Sequence, residues 1–186
     1  CGFTLVSSDK NKLQEIANNQ GVDYFPLGLT RKITPLQDLL CLIRFAFFLR
    51  KVKPHIVHTH TPKAGIIGML AAYIARVPLR MHTVAGLPLM ESTGFKRSVL
   101  NLVERITYFC ATHVYPNSKG LQDFIIQHEF CDQQKLKILG AGSSNGIDTS
   151  YFDPKQITTN QKHALKTKLN IEPTDFIFSF VGRLVG

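Results

Sequence analysis

The stretch His55-Ile-Val-His-Thr-His-Thr-Pro-Lys-Ala-Gly-Ile66 constrains this chain more than any other. A short strand, His55 to Thr59, runs directly into His60, Thr61 and Lys63. A helix over 63–76 follows, carrying Gly65, Gly68, Ala71, Ala72 and Ala75. A strand passing straight into a helix is half of a βαβ unit, and small residues let that helix lie close against a sheet. In open α/β sheets the carboxyl ends of the strands face the ligand crevice. Hydrogen-bonding side chains and a cation therefore stand where a polar, phosphorylated substrate is expected.

The rest of the chain alternates in the same way, which predicts an α/β fold: a Rossmann-like, doubly wound, mostly parallel sheet with helices on both faces. Strands are expected at 3–7, 22–27, 55–59, 79–84, 112–116, 135–139 and 175–181. Helices are expected near 10–20, 36–52, 63–76, 96–111, 118–128 and 160–169. Gly21 stops the first helix. Thr34-Pro35-Leu36-Gln37 reads as a capping box with proline at the first helical position. Helix 36–52 is apolar over most of its circumference, with Arg44, Arg50, Lys51 and Lys53 toward its end. Burial against the sheet accounts for that, and the cations complement the helix dipole.

The bulk numbers narrow the partners. With 186 residues, 44% hydrophobic and 19% charged, the chain is globular and long enough for a real core. Its net charge of +9 favours phosphates, nucleic acid or an acidic bilayer. Nucleic acid is set aside, because the 13 Phe fall in apolar segments instead of interleaving with cations. Cys1, Cys41, Cys110 and Cys131 are scattered without a Cys-x-x-Cys and read as reduced, as in a cytosolic protein. No signal peptide is visible, and the longest apolar run, Phe45 to Leu49, is too short to span a bilayer. Beginning inside a strand at Cys1 and ending on the apolar run Phe176 to Val181, the chain reads as a fragment.

Three motifs invite chemistry. His58-x-His60 suggests a metal, but no Asp or Glu follows until Glu91, so no metal site is expected. Gly140-Ala-Gly-Ser-Ser-Asn-Gly146 lacks the helix that a dinucleotide fingerprint requires, and no Gly-x-x-x-x-Gly-Lys loop occurs, so no cofactor is expected. The loop Gly86-Leu-Pro-Leu-Met90 lies beside Lys96, Arg97 and Arg105. It is either tucked into the core or a contact with an anionic membrane surface through Leu87, Leu89, Met90, Lys96 and Arg97.

Taken in order, His58-Thr-His-Thr-Pro-Lys-Ala-Gly65, Arg80-Met-His-Thr83 with Gly86-Leu-Pro88, Tyr115-Pro-Asn-Ser118, Asn145-Gly-Ile-Asp148 and Val181-Gly-Arg183 resemble glycosyltransferase family 4. The bacterial enzymes of capsular and lipid-linked polysaccharides look most similar. The resemblance implies the amino-terminal half of a GT-B fold: residues 1–148 as the acceptor-binding domain without its first strand-helix unit, 149–174 as a linker, and 175–186 as the first strand of the donor-binding domain. It implies a retaining, metal-independent hexosyltransferase acting at the inner face of the bacterial cytoplasmic membrane. Its partners would be a nucleotide-diphosphate sugar and a saccharide acceptor on a polyprenyl diphosphate. The fragment alone is expected to be inactive.

By matching position, His82 corresponds to the histidine that contacts the donor sugar, and a histidine at a strand end suits that task near neutral pH. The alternative is a satisfied core histidine. Gly182 and Arg183 correspond to the donor-diphosphate site, where a guanidinium grips oxygens in pairs. Asn117 and Ser118 are expected on the donor side, with plain N-capping as the alternative. His60, Thr61, Lys63 and Gly86 are expected to line the acceptor side. A sugar-nucleotide epimerase of similar two-domain build and a non-catalytic saccharide- or membrane-binding module remain as rivals.

Overall fold

The structure, a computed structural model, describes residues 2–30, 33–143, 147–172 and 174–182. It divides into two compact units, residues 1–144 and 145–186. In the first unit the order is β1 (Thr4–Ser7), α1 (Lys10–Gln20), β2 (Asp23–Pro26), α2 (Pro35–Val52), β3 (Ile56–Thr59), α3 (Pro62–Ile74), β4 (Leu79–Val84), α4 (Gly94–Cys110), β5 (His113–Pro116) and α5 (Lys119–Gln127). The expected alternation holds, and every named strand pair is parallel. The strands form a two-stranded sheet, β1-β2, and a three-stranded sheet, β3-β4-β5.

Local chemistry sets the boundaries. Asp9 accepts a hydrogen bond from the Lys12 amide at the start of α1, and Gly21 ends that helix at φ +63°. Pro35 opens α2 as expected. The capping box, however, is not formed by Gln37. Thr34 instead donates its amide and hydroxyl to Asp38 (3.2 and 3.0 Å), and Gln37 donates to the Gly28 carbonyl at 2.6 Å. The carboxylate one position further on takes the place of the amide, because it also meets Lys63.

The core lies where α2 and α3 pack on the three-stranded sheet. Phe45 and Leu49 of α2, Met69 and Ala72 of α3, Val57 of β3, Val84 of β4 and Val114 of β5 are all buried. Phe25 of β2 stacks on Phe48 of α2 with ring centroids 4.0 Å apart, joining the smaller sheet to that core. The small residues of α3 serve close approach, as expected: a Cβ on Gly68 would stand 2.6 Å from Thr59 Cγ2.

Three expectations are corrected. First, burial covers only one face of α2. Leu36, Leu39, Leu40, Ile43 and Phe47 form an open apolar stripe, Leu36 being 81% and Phe47 65% exposed. Second, residues 135–139 are not a strand. A 3-10 turn over Gln133–Lys135, capped by Asp132, occupies its start, and only Leu136 bridges to Val114. Third, 175–181 lacks regular structure, and Phe176, Phe178 and Phe180 are exposed. A strand needs a neighbour to satisfy its backbone, and none pairs with this segment among the described residues. Among the described residues of the second unit is an α-helix, α6 (Thr159–Lys168), opened by a capping box between Thr158 and Gln161.

Candidate functional site

The carboxyl ends of β3 and β4 open into a cavity of about 490 Å³. His60 and Thr61 reach it from the β3-α3 turn, and His82 and Thr83 from the end of β4. Gly86 and Leu87 come from the loop that follows β4. Parallel pairing explains the convergence. Thr59 lies in register with His82, and His82 with Val114, so both turns leave the same sheet edge.

His82 is the most constrained of these side chains, at 2% exposed. Its Nδ1 meets the Thr59 hydroxyl at 2.7 Å across the strand pair. Burial, followed by the neighbouring His58 and His60, lowers its pKa to about 4, so the ring is neutral at pH 7. A neutral imidazole can donate through one nitrogen and accept through the other. His58 is absorbed locally. Its Nε2 bonds Thr83 Oγ1 at 2.8 Å, and its ring packs 4.2 Å from that of His60.

Several expected site residues lie elsewhere. Lys63 is committed to structure: it pairs with Asp38 at 2.8 Å and donates to Thr30 and Thr34, tying α3 to the start of α2. Burial opposes ionisation of Asp38, but the hydrogen bonds from Lys63 and Thr34 outweigh it and hold that carboxyl below its usual range. Ser118 caps α5 through the Leu121 amide, and Asn117 Nδ2 donates to the Ala85 carbonyl at 3.1 Å. Asn117 thus braces the loop after β4 without lining the cavity. Gly182 is exposed, with the Phe180 ring against it, and Arg183, Asn145 and Gly146 lie outside the described residues.

The membrane contact expected at the 86–90 loop is corrected as well. Leu87 and Leu89 are buried, because the turn Pro88–Glu91 folds them under and Ser92 bonds the Pro88 carbonyl at 3.0 Å. Met90 and Lys96 remain exposed, and Arg97 lies against His128 at 3.5 Å.

Sequence reasoning missed the two acidic members of the cavity lining, Glu91 and Glu104. Glu104 lies on the inward face of α4 beside Thr107 and Tyr108, and is 4% exposed. A signal was available: an acid on the apolar face of an amphipathic helix has no packing reason to be there. Burial raises its pKa, and the Tyr108 hydroxyl one turn on opposes that in part.

Comparison with known proteins gives a consistent result. A family model described as "Glycosyl transferase 4-like domain" matches residues 4–142. The capsular polysaccharide biosynthesis glycosyltransferase CapM of Staphylococcus aureus is 38% identical over 97% of the chain. The UDP-Gal:alpha-D-GlcNAc-diphosphoundecaprenol alpha-1,3-galactosyltransferase of Escherichia coli is 32% identical over 98%. The chain spans about half of both relatives, 46% of each. Among solved structures, HepE of Anabaena in complex with UDP-glucose has a TM-score of 0.57 at 16% identity, covering 90% of this chain and 42% of that one. A UDP-GlcNAc 2-epimerase from Neisseria meningitidis bound to UDP-GlcNAc shares the fold at a TM-score of 0.54 and 16% identity, covering 91% and 46%.

Proposed function

The chain belongs to the glycosyl transferase 4-like family, and on that premise we propose that its parent enzyme transfers a sugar from a nucleotide-diphosphate donor to a saccharide acceptor in surface polysaccharide synthesis. The observation that carries the reading is His82: a neutral imidazole held by Thr59 at the mouth of the crevice formed by the strand ends. Such a ring can bond a sugar hydroxyl without adding charge beside the reacting carbon. Catalysis is then mostly positioning, together with stabilisation of the departing diphosphate. Gly182 and Arg183 are proposed for that second task. The anomeric configuration is retained, and neither metal nor organic cofactor takes part. The epimerase reading draws on fold likeness alone, whereas the two relatives named above, from Staphylococcus aureus and Escherichia coli, are glycosyltransferases.

The acceptor is proposed to be a saccharide on a polyprenyl diphosphate, like the GlcNAc-diphosphoundecaprenol in the name of the Escherichia coli relative. The enzyme would meet it at an anionic membrane surface on the cytoplasmic side. No helix among the described residues is long and apolar enough to cross a membrane. The open stripe of α2, with Arg44, Arg50 and Lys51 on the same helix, supports peripheral docking, as does the net charge of +9. Residues 1–148 would supply the acceptor side and the remainder would lead into a donor domain, so this chain alone is expected to give no product.

The test uses the full-length enzyme with a panel of UDP-sugars and a synthetic diphosphoundecaprenol-linked GlcNAc. Mass spectrometry should detect one added hexose, and NMR of the product should show the donor's anomeric configuration. Inverted product removes the retaining mechanism. Epimerised nucleotide sugar in the absence of acceptor moves the protein to the rival class.

A further inference from the structure

The cavity beside His82 carries two acids, Glu91 and Glu104, and among the described residues no Lys or Arg lines it. That is unexpected in a chain with 22 cations against 13 acids. An acid-lined cavity repels a diphosphate and suits a neutral ring rich in hydroxyls. Glu104 is the telling member, because it lines the cavity while almost wholly buried. The inward side of α4 continues in the same style. Thr107 donates to the Val103 carbonyl, the Tyr108 hydroxyl acts on the Glu104 carboxyl itself, and Asn101 Oδ1, one turn before Glu104, is buried without a hydrogen bond. Buried polar groups are normally paired, so a carboxyl that is almost wholly buried and yet lines an open cavity points to a polar occupant. Packing gives no reason for a carboxyl here, since an apolar residue would fill the same space at lower desolvation cost.

We propose that Glu104 is a specificity-determining residue that binds hydroxyl groups of a neutral saccharide ring seated beside His82. The assignment rests on the transfer reading above and names which side chain reads the sugar. An ionised carboxyl accepts from two neighbouring hydroxyls, and a protonated one donates once and accepts once. In either state it discriminates between sugars that differ at a single hydroxyl, because the wrong epimer leaves a buried polar group unpaired.

The experiment compares full-length wild type, Glu104→Gln and Glu104→Ala. The donor arm measures kcat and KM for UDP-glucose, UDP-galactose and UDP-GlcNAc, with slow donor hydrolysis in the absence of acceptor as a second readout. The acceptor arm measures KM for the synthetic lipid-linked GlcNAc. Binding of UDP alone and thermal melting serve as references. Glu104→Ala should raise KM about tenfold or more in one arm, while UDP binding changes less than about twofold. Glu104→Gln should fall between and alter the ranking of the sugars in that arm. The arm that moves identifies the ring as donor or acceptor. Unchanged sugar KM values in both variants, or a lower melting temperature with unchanged kinetic constants, overturn the assignment and leave Glu104 a structural residue. A wild-type enzyme that turns over none of the UDP-sugars removes the transfer reading, and this assignment with it.

Discussion

Gly65 of α3 and His82 of β4 approach so closely that a Cβ on the glycine would stand 2.6 Å from Cε1 of the ring. The Thr59 hydroxyl holds Nδ1 of the same ring at 2.7 Å. His82 is therefore fixed from two sides by residues of the β3-α3 unit. The glycine in that small-residue helix is needed at this point for the site as well as for packing.

Gly65→Ala should accordingly push the ring out of place. Overpacking of this kind costs about 1–3 kcal/mol. In the full-length enzyme we expect a lower melting temperature together with at least a tenfold loss of kcat. Gly120→Ala on α5 is the control, because nothing lies within 4 Å of its would-be Cβ and it stands outside the cavity. Similar losses at the two glycines would show that the Gly65 contact does not position the histidine.

Stability should fall as the pH drops through the histidine range. His82 has a folded pKa of about 4 against an ordinary value of 6.5, so the unfolded chain takes up the proton first. Its contribution is complete above about pH 6.5 and is lost progressively toward pH 4, amounting to about 3 kcal/mol. Asp38, with its lowered pKa, adds a loss in the same direction as the pH falls below the ordinary value of 3.8. Glu104 acts oppositely: its raised pKa means the folded state binds the proton more tightly, which favours the fold as the pH falls. Urea unfolding at pH 7.0, 5.5 and 4.5 should show the decline, and His82→Gln should flatten most of it. A slope unchanged by that substitution would rule out the buried neutral ring.

In the full-length enzyme, His82→Ala should lower turnover by about 10²-fold, if its hydrogen bond strengthens in the transition state. Thr59→Val should give a smaller loss, since it removes only the group that orients the ring. A variant that loses cooperative melting along with activity would favour a purely structural histidine.

The elements that follow from local chemistry were legible in the residues. Gly21 ends α1, Pro35 opens α2, and the strand-helix step at 55–66 brings His60, Thr61 and His82 to one edge. What depends on tertiary partners was not legible. The strand expected at 135–139 yields to a 3-10 turn whose Lys135 donates to the Tyr108 and Phe109 carbonyls at the end of α4. Leu87 and Leu89 read equally well as inserting or buried until the turn after them is seen. Lys63 looked like a ligand cation because its partner, Asp38, is distant in sequence.

Lys63 therefore gives a sharp contrast. Lys63→Met should destabilise the fold by about 1–2 kcal/mol, because Asp38 loses its cation in a half-buried setting. In the full-length enzyme, KM for the lipid-linked acceptor should change little. The double variant Lys63→Met with Asp38→Leu should recover part of the stability. A large KM effect without a change in melting would return Lys63 to the acceptor site.

Membrane docking should follow the stripe of α2 and not the loop after β4. Leu40 and Phe47 are open to solvent, whereas Leu87 and Leu89 are buried. Each cation near an acidic surface adds about 1 kcal/mol at low salt, and salt screens it, whereas inserted apolar side chains are insensitive to salt. Binding to phosphatidylglycerol vesicles should therefore fall with salt but not vanish, and neutral vesicles should bind weakly. Leu40→Glu with Phe47→Glu should abolish the salt-resistant part in a sedimentation assay. Lys96→Glu with Arg97→Glu should reduce only the salt-sensitive part. If the pair on α2 has no larger effect than Lys166→Glu with Lys168→Glu on α6, the attraction is diffuse charge alone and α2 is not the docking face.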